Sequence, residues 1–162
     1  MTVGNSSPPG QRVSVLHGLV LAGALVIALA GARPYAGGWN DGSRLATVEC
    51  LVDDHTLAID RSIFVQVPAP GSSSRPLPYD PQEPLLTRGT YDKLLINGHF
   101  YSDKSPVPAL LLAGVYQGLQ WCTGLTARDR PDLFCYAMTL ASSGLAYVVA
   151  VWCVFQLGKP LK

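Results

Sequence analysis

Charge is scarce in this chain: Asp, Glu, Lys and Arg together make up 14% of its 162 residues, well below the usual quarter. Twelve basic and 11 acidic residues leave a formal net charge of only +1. No Lys/Arg run occurs, so no basic surface is offered to nucleic acid and no nucleic-acid partner is expected. The four cysteines, Cys50, Cys122, Cys135 and Cys153, form no CxxC and no zinc spacing, and they read as small apolar packing residues. His17, His55 and His99 are scattered, which argues against a metal site built from protein ligands alone. A G-x-G-x-x-G turn is missing as well, and the adjacent Asp53-Asp54 does not make a convincing nucleotide-sugar site.

What the chain does have is apolar residues in blocks, with AVILMFWYC at 48%. Residues 1–12, rich in Ser, Pro and Gly, have nothing to bury and are expected to be a disordered tail. Val13 to Ala32 carries no charge over twenty residues, about 30 Å as a helix, which matches the hydrocarbon thickness of a bilayer. A cleaved signal peptide is the rival, because Arg12 precedes the run and Ala28-Leu29-Ala30 has the small-x-small form of a cleavage site. The run exceeds the usual length of such a peptide, which favours an uncleaved anchor. Val107–Leu125, interrupted by Gln117 and Gln120, predicts a second span whose glutamines face other helices. Leu133–Leu157 predicts a third, about 37 Å if fully helical and so long enough to tilt. Asp132 is placed to cap that helix.

Residues 33–106 form the one large polar region. Leu45, Val48, Leu51 and Val52 recur at helical spacing behind Asn40 or Asp41 as N-cap, so a helix over about 41–54 is expected to lie along the membrane surface with Glu49 and Asp53 on its wet side. The Pro/Ser-rich stretch 67–84 reads as an exposed insertion. Asn97-Gly98, between Leu94-Leu95-Ile96 and His99-Phe100-Tyr101, predicts a hairpin turn. Pro106 and Pro108 suit the first turn of a helix. Together these elements predict an all-α membrane protein. Three transmembrane helices span 13–32, 107–125 and 132–157. A large extracytoplasmic loop, 33–106, carries a juxtamembrane amphipathic helix. Arg128 and Arg130 mark the link 126–131 as cytoplasmic and put the N-terminus on the same side, although Lys159 and Lys162 count against that orientation.

Two charged clusters then share one membrane face. Asp103-Lys104 stands within four residues of the second apolar run, and Trp39-Asn40-Asp41-Gly42-Ser43-Arg44 stands just after the first. A charge costs about 2.5 to 3.5 kcal/mol at the centre of a membrane helix, so such pairs belong at the interface, where lipid phosphates lie. The plain alternatives are that Asp41 is a helix cap, that Arg44 is a surface partner of Asp41 or a headgroup, and that Lys104 only reaches up to the interface.

The order of these features resembles the opening portion of a membrane glycosyltransferase of the GT-C superfamily, in the protein mannosyltransferase and aminoarabinose transferase branch. The matching residues are the acid-x-x-Arg of Asp41-Gly42-Ser43-Arg44, then Asn97-Gly98, Phe100-Tyr101, Asp103-Lys104 and Pro106. Ser105 stands where the family has the first of two prolines, Leu45 where an aromatic is common, and 67–84 is extra. The resemblance covers residues 13–158 as a partial, truncated enzyme, since relatives carry seven or more spans. It implies transfer of a sugar from a polyprenyl-phosphate donor to an acceptor on the extracytoplasmic side of a bacterial plasma membrane. By the same resemblance Asp41 is the catalytic base, Arg44 and Lys104 bind the donor phosphate, and Asp103 orients Lys104 or meets the acceptor or a cation. No cofactor is implied, although a divalent cation is compatible with these residues. The partners implied are the lipid-linked sugar, membrane lipid and further helices from a missing C-terminal part or another chain. Three spans enclose too little wall for donor and acceptor, so the isolated chain is expected to be inactive. The competing expectation is a non-enzymatic three-span membrane protein, either a remnant or a packing subunit.

Overall fold

The computed structural model describes residues 9–67, 77–80 and 82–158, with side chains from residue 15 onward. The chain divides into two compact units, one of residues 1–31 and 143–162 and the other of residues 32–142.

In the first unit α1 (Pro9–Gly31) packs on α5 (Leu145–Leu157). His17, near the start of α1, meets Phe155, near the end of α5, with ring centroids 3.7 Å apart, so the two helices run antiparallel. Ala24 and Ala28, one turn apart, are the buried residues of α1; small side chains at that spacing let helices approach closely. The helix already includes Pro9 to Arg12, where a disordered tail was expected, while residues 1–8 lie outside the described residues.

The second unit is built on α2 (Trp39–Asp53). Nine of its 15 residues are buried, among them Leu45, Val48 and Val52. Against it pack α3 (Pro106–Thr123) and the segment 59–64, and Phe134, Cys135 and Met138 of α4 (Pro131–Thr139) complete the same core, Phe134 against Tyr116 of α3 and Phe64. Helix α3 meets α2 through Ala109, Ala113 and Tyr116, spaced to share one face. A 3₁₀ turn at Leu86–Arg88 leads to β1 (Lys93–Ile96), which pairs antiparallel with β2 (His99–Ser102), Ile96 opposite His99. Asn97 and Gly98 both have positive φ, 50° and 84°, the geometry that a two-residue hairpin loop demands and that Asn-Gly supplies at least strain. A π turn at Leu140–Gly144 joins α4 to α5 within one helix; Ser142 Oγ donates to the Met138 carbonyl at 2.7 Å there, a side-chain bond that competes with the helical ladder.

The expected all-α, three-span fold is not what forms. The molecule is helical with a two-stranded antiparallel sheet, and among the described residues one helix, Pro131–Leu157, is long and apolar enough to cross a membrane. The apolar helix with described side chains before it, Val15–Gly31, is shorter. The run 107–125 fails for a chemical reason: Pro108 and two glutamines dilute it, and Gln120 donates to the Asp53 carboxylate at 2.6 Å, turning that face of α3 toward α2.

Four further expectations change with it. Helix α2 does not float with Glu49 and Asp53 in water. Glu49 is fully buried and accepts from Ser62 Oγ at 2.7 Å, the Ile63 amide at 3.1 Å and Arg128 Nε at 3.2 Å. Asp53 takes the Tyr116 hydroxyl at 3.0 Å beside Gln120. The link 126–131, expected across a membrane from 33–106, lies against it, since Arg128 also binds Asp54 at 2.6 Å. The stretch 67–84, expected to be exposed throughout, enters the core at Pro78 and Tyr79: Tyr79 is buried, its hydroxyl donates to the Phe64 carbonyl, and the Pro78 carbonyl accepts the Ala36 amide, while residues 82–84 are exposed. Residues 68–76 and 81 lie outside the described residues. Asp132 does not cap α4, whose N-cap is Arg130 without a side-chain bond; it pairs with Arg130 at 2.7 Å.

Burial raises the Glu49 pKa from 4.5 to about 7, against the opposing pull of Ser62 and Arg128. Below pH 4.5 folded and unfolded chains both hold the proton. Between 4.5 and about 7 the unfolded chain releases it first, so stability falls as pH rises, by up to about 1.4 kcal/mol per pH unit. Glu49→Gln removes this titration. The stability of the wild type relative to the variant, from thermal unfolding in detergent, is therefore expected to decline across that window and to level off above it. A difference that does not change with pH would show that Glu49 titrates alike in both states.

Candidate functional site

Helix α2 begins at Trp39, with Gly38 as a backbone N-cap that makes no side-chain bond. Asp41 and Arg44 therefore stand inside the first turns, three residues apart and on one face. Asp41 is not the cap: both side chains are exposed, and neither has a hydrogen bond or ion pair among the described residues. The helix dipole still favours an anion in the first turn. The guanidinium of Arg33 lies close to the same backbone, since a Cβ added at Gly37 would sit 2.9 Å from Arg33 Nη1 and 3.5 Å from Asp41 Oδ2.

The Asp41-to-Arg44 turn is fastened to the Asp103-Lys104 step by the serine between them. Ser43 is fully buried; its Oγ lies 2.6 Å from Ser102 Oγ and donates to the Asp92 carbonyl at 2.6 Å. Ser102 Oγ accepts the Lys104 amide at 3.2 Å. The Lys104 ammonium is then held by two carboxylates, Asp103 at 3.0 Å and Asp92 at 3.3 Å. The hydrogen bond that the ammonium donates to Asp103, and then the one to Asp92, raises the Lys104 pKa above its ordinary value. Lys104 is thus a fixed cation whose charge is already answered, whereas Arg44 is a cation with its charge open.

All four residues expected at the site, Asp41, Arg44, Asp103 and Lys104, come to one end of the second unit. Ser102 and Asp92 were not expected there, and Ser43, although inside the Asp41-Gly42-Ser43-Arg44 run, was given no role. Nothing in their local sequence marks them; only the register of β2 against α2 and the return of the chain at 90–92 make them neighbours. Gly42, between Asp41 and Ser43, is the point at which the Tyr79 phenol crosses α2. Among the described residues no group of three or more His, Cys, Asp and Glu side chains stands where it could hold a metal ion. Comparison with protein-family models, curated proteins and solved structures finds no match.

A Cβ at Gly42 would overlap Tyr79 Oη and lie 2.8 Å from its Cζ. Gly42→Ala is therefore expected to destabilise the second unit by about 1 to 3 kcal/mol, read as a lower thermal midpoint. Pairing it with Tyr79→Phe, which removes the clashing oxygen, recovers part of the loss. A neutral Gly42→Ala would mean that Tyr79 does not cross the helix there.

Proposed function

We propose that the chain carries the reacting end of a GT-C type membrane glycosyltransferase, which moves a sugar from a polyprenyl-phosphate carrier to an acceptor hydroxyl. The observation that carries the reading is the arrangement just described: an open carboxylate and an open guanidinium on one turn of α2, with an acid-lysine step bonded beside them through Ser43 and Ser102. In the transfer, the acceptor oxygen attacks the anomeric carbon and the bond from that carbon to the phosphate oxygen breaks. The electron pair leaves on the phosphate, and the acceptor proton passes to Asp41 as general base. Arg44 offers two parallel N–H donors to the phosphate. Lys104 reaches it by exchanging one of its two carboxylates, and Asp103 holds the ammonium in place meanwhile.

A lipid carrier also needs somewhere to lay its tail. From Lys104 onward α3 displays Val107, Leu110, Leu111 and Val115, all exposed and following one stripe of the helix. A chain attached to a phosphate at Lys104 has an apolar track beginning one turn away. Integration in a membrane through Pro131–Leu157 is part of the same proposal, as is assembly with further helices. The second reading is a non-enzymatic membrane subunit, and one observation favours it: Lys104 already has both its carboxylate partners without any ligand.

Transfer from a radiolabelled polyprenyl-phosphate sugar, measured in native membranes at matched protein levels, separates the two. Asp41→Asn is expected to lower the rate by about 10² to 10⁴-fold, the usual span of a general base. Arg44→Met and Lys104→Met are expected to raise the donor concentration needed for half-maximal rate. Near-normal transfer by Asp41→Asn would leave Asp41 as a helix-dipole partner and the chain as a scaffold.

A further inference from the structure

The start of α2 carries one more feature that the charges do not use. Trp39, two residues before Asp41, meets Tyr91 edge-on, with ring centroids 5.1 Å apart and planes at 78°. Tyr91 nonetheless leaves 54% of its surface open. Its backbone is held from both sides: Thr90 Oγ1 donates to the Trp39 carbonyl at 2.8 Å, and the Asp92 carbonyl accepts Ser43 Oγ. The Trp39 indole N–H is buried with no hydrogen-bond partner among the described residues; it is the ring contact with Tyr91 that makes the indole a brace. The outcome is a large aromatic ring that is fixed in place, half open and next to the carboxylate and cations of the site. Leu94, Leu95 and Ile96 on the hairpin are exposed too, but they are aliphatic and offer no π face.

A pyranose ring has the complementary surface. Its axial C–H groups make one face apolar and weakly positive, which suits the negative face of an aromatic ring. Its rim of hydroxyls needs hydrogen-bonding groups close by; Asp41 stands two residues after Trp39, Asp92 follows Tyr91 directly, and Arg44 lies on the same turn of α2 as Asp41. A flat lipid surface would use the aliphatic hairpin at least as well; a sugar has reason to choose Tyr91.

We infer that the open ring of Tyr91, braced by Trp39, is the sugar-stacking platform of this site and takes the apolar face of a pyranose beside Asp41. The inference rests on the glycosyl-transfer reading for the identity of that sugar as the transferred one, but pyranose binding is measured without any transfer. Stacking of this kind separates binding constants by between about twofold and tenfold.

The test uses the chain in detergent micelles with methyl α-mannopyranoside and methyl β-glucopyranoside as soluble pyranose probes, followed by saturation-transfer NMR. The wild type is expected to pass magnetisation to the C–H protons of one ring face of at least one probe. Tyr91→Phe keeps this signal. Tyr91→Leu, which retains apolar bulk but has no π face, is expected to weaken binding by at least twofold at an unchanged thermal midpoint. Wild-type protein that binds neither probe, or Tyr91→Leu that binds as the wild type does, overturns the platform. Tyr91-dependent pyranose binding together with normal transfer by Asp41→Asn would instead keep the platform and remove the catalytic base.

Discussion

A carboxylate withdrawn from water must be answered by the protein around it, and in this fold the one at Glu49 is answered from three directions. Ser62 and the Ile63 amide come from the segment after α2, and Arg128 comes from the link after α3. Arg128 reaches on to Asp54, so the guanidinium spans the last turn and a half of α2. An isolated charge at such a depth would cost many kcal/mol, and removing one member of a buried pair is far more damaging than never having had it. The network therefore fixes which face of α2 points inward. Asp41, Arg44 and Val48 lie along one stripe of α2, buried at Val48 and open at the N-terminal end, so Asp41 and Arg44 are exposed by their place at the start of the helix.

Local chemistry was legible in the sequence where a residue type has one use. Asn97-Gly98 could hardly be anything but a tight hairpin, Pro106 opens α3, and the spacing of Leu45, Val48 and Val52 gives α2 within two residues of its true start. Glu49 and Asp53 were misread because periodicity assigns a charged residue to the wet face, and their partners lie far off in sequence, Arg128 for Glu49, and Tyr116 and Gln120 for Asp53. The same blindness produced the second span. A hydropathy run sees Leu110, Leu111 and Val115 and counts them toward lipid, but cannot see that Ala109, Ala113 and Tyr116 are already taken by α2. At the site, the four charged residues were singled out by their placement at the ends of apolar runs. Asp92 and the Ser43–Ser102 pair were not, because each is an ordinary residue made special by register.

Charge arithmetic at the site limits how it can act. Lys104, Asp92 and Asp103 sum to one net negative charge, which repels a phosphate as long as all three stay together, whereas Arg44 stands apart with its charge open. Phosphate would be met first by Arg44, and Lys104 would join by leaving a carboxylate behind. Such an exchange couples ligand binding to the 90–92 segment, because Asp92 and Tyr91 are neighbours on it and Ser43 holds its backbone. A ligand that draws Lys104 away changes the charge beside Tyr91 at the same time.

That exchange gives the most direct measurement of the account. A short-chain polyprenyl phosphate without a sugar is titrated into the chain in nanodiscs of zwitterionic lipid, and binding is followed by the phosphorus NMR shift. Asp92→Asn releases Lys104 from one of its two anions, so the account predicts tighter phosphate binding by this variant and weaker binding by Arg44→Met. Identical titrations for the wild type, Asp92→Asn and Arg44→Met would contradict it, because the phosphate would then be bound by neither cation.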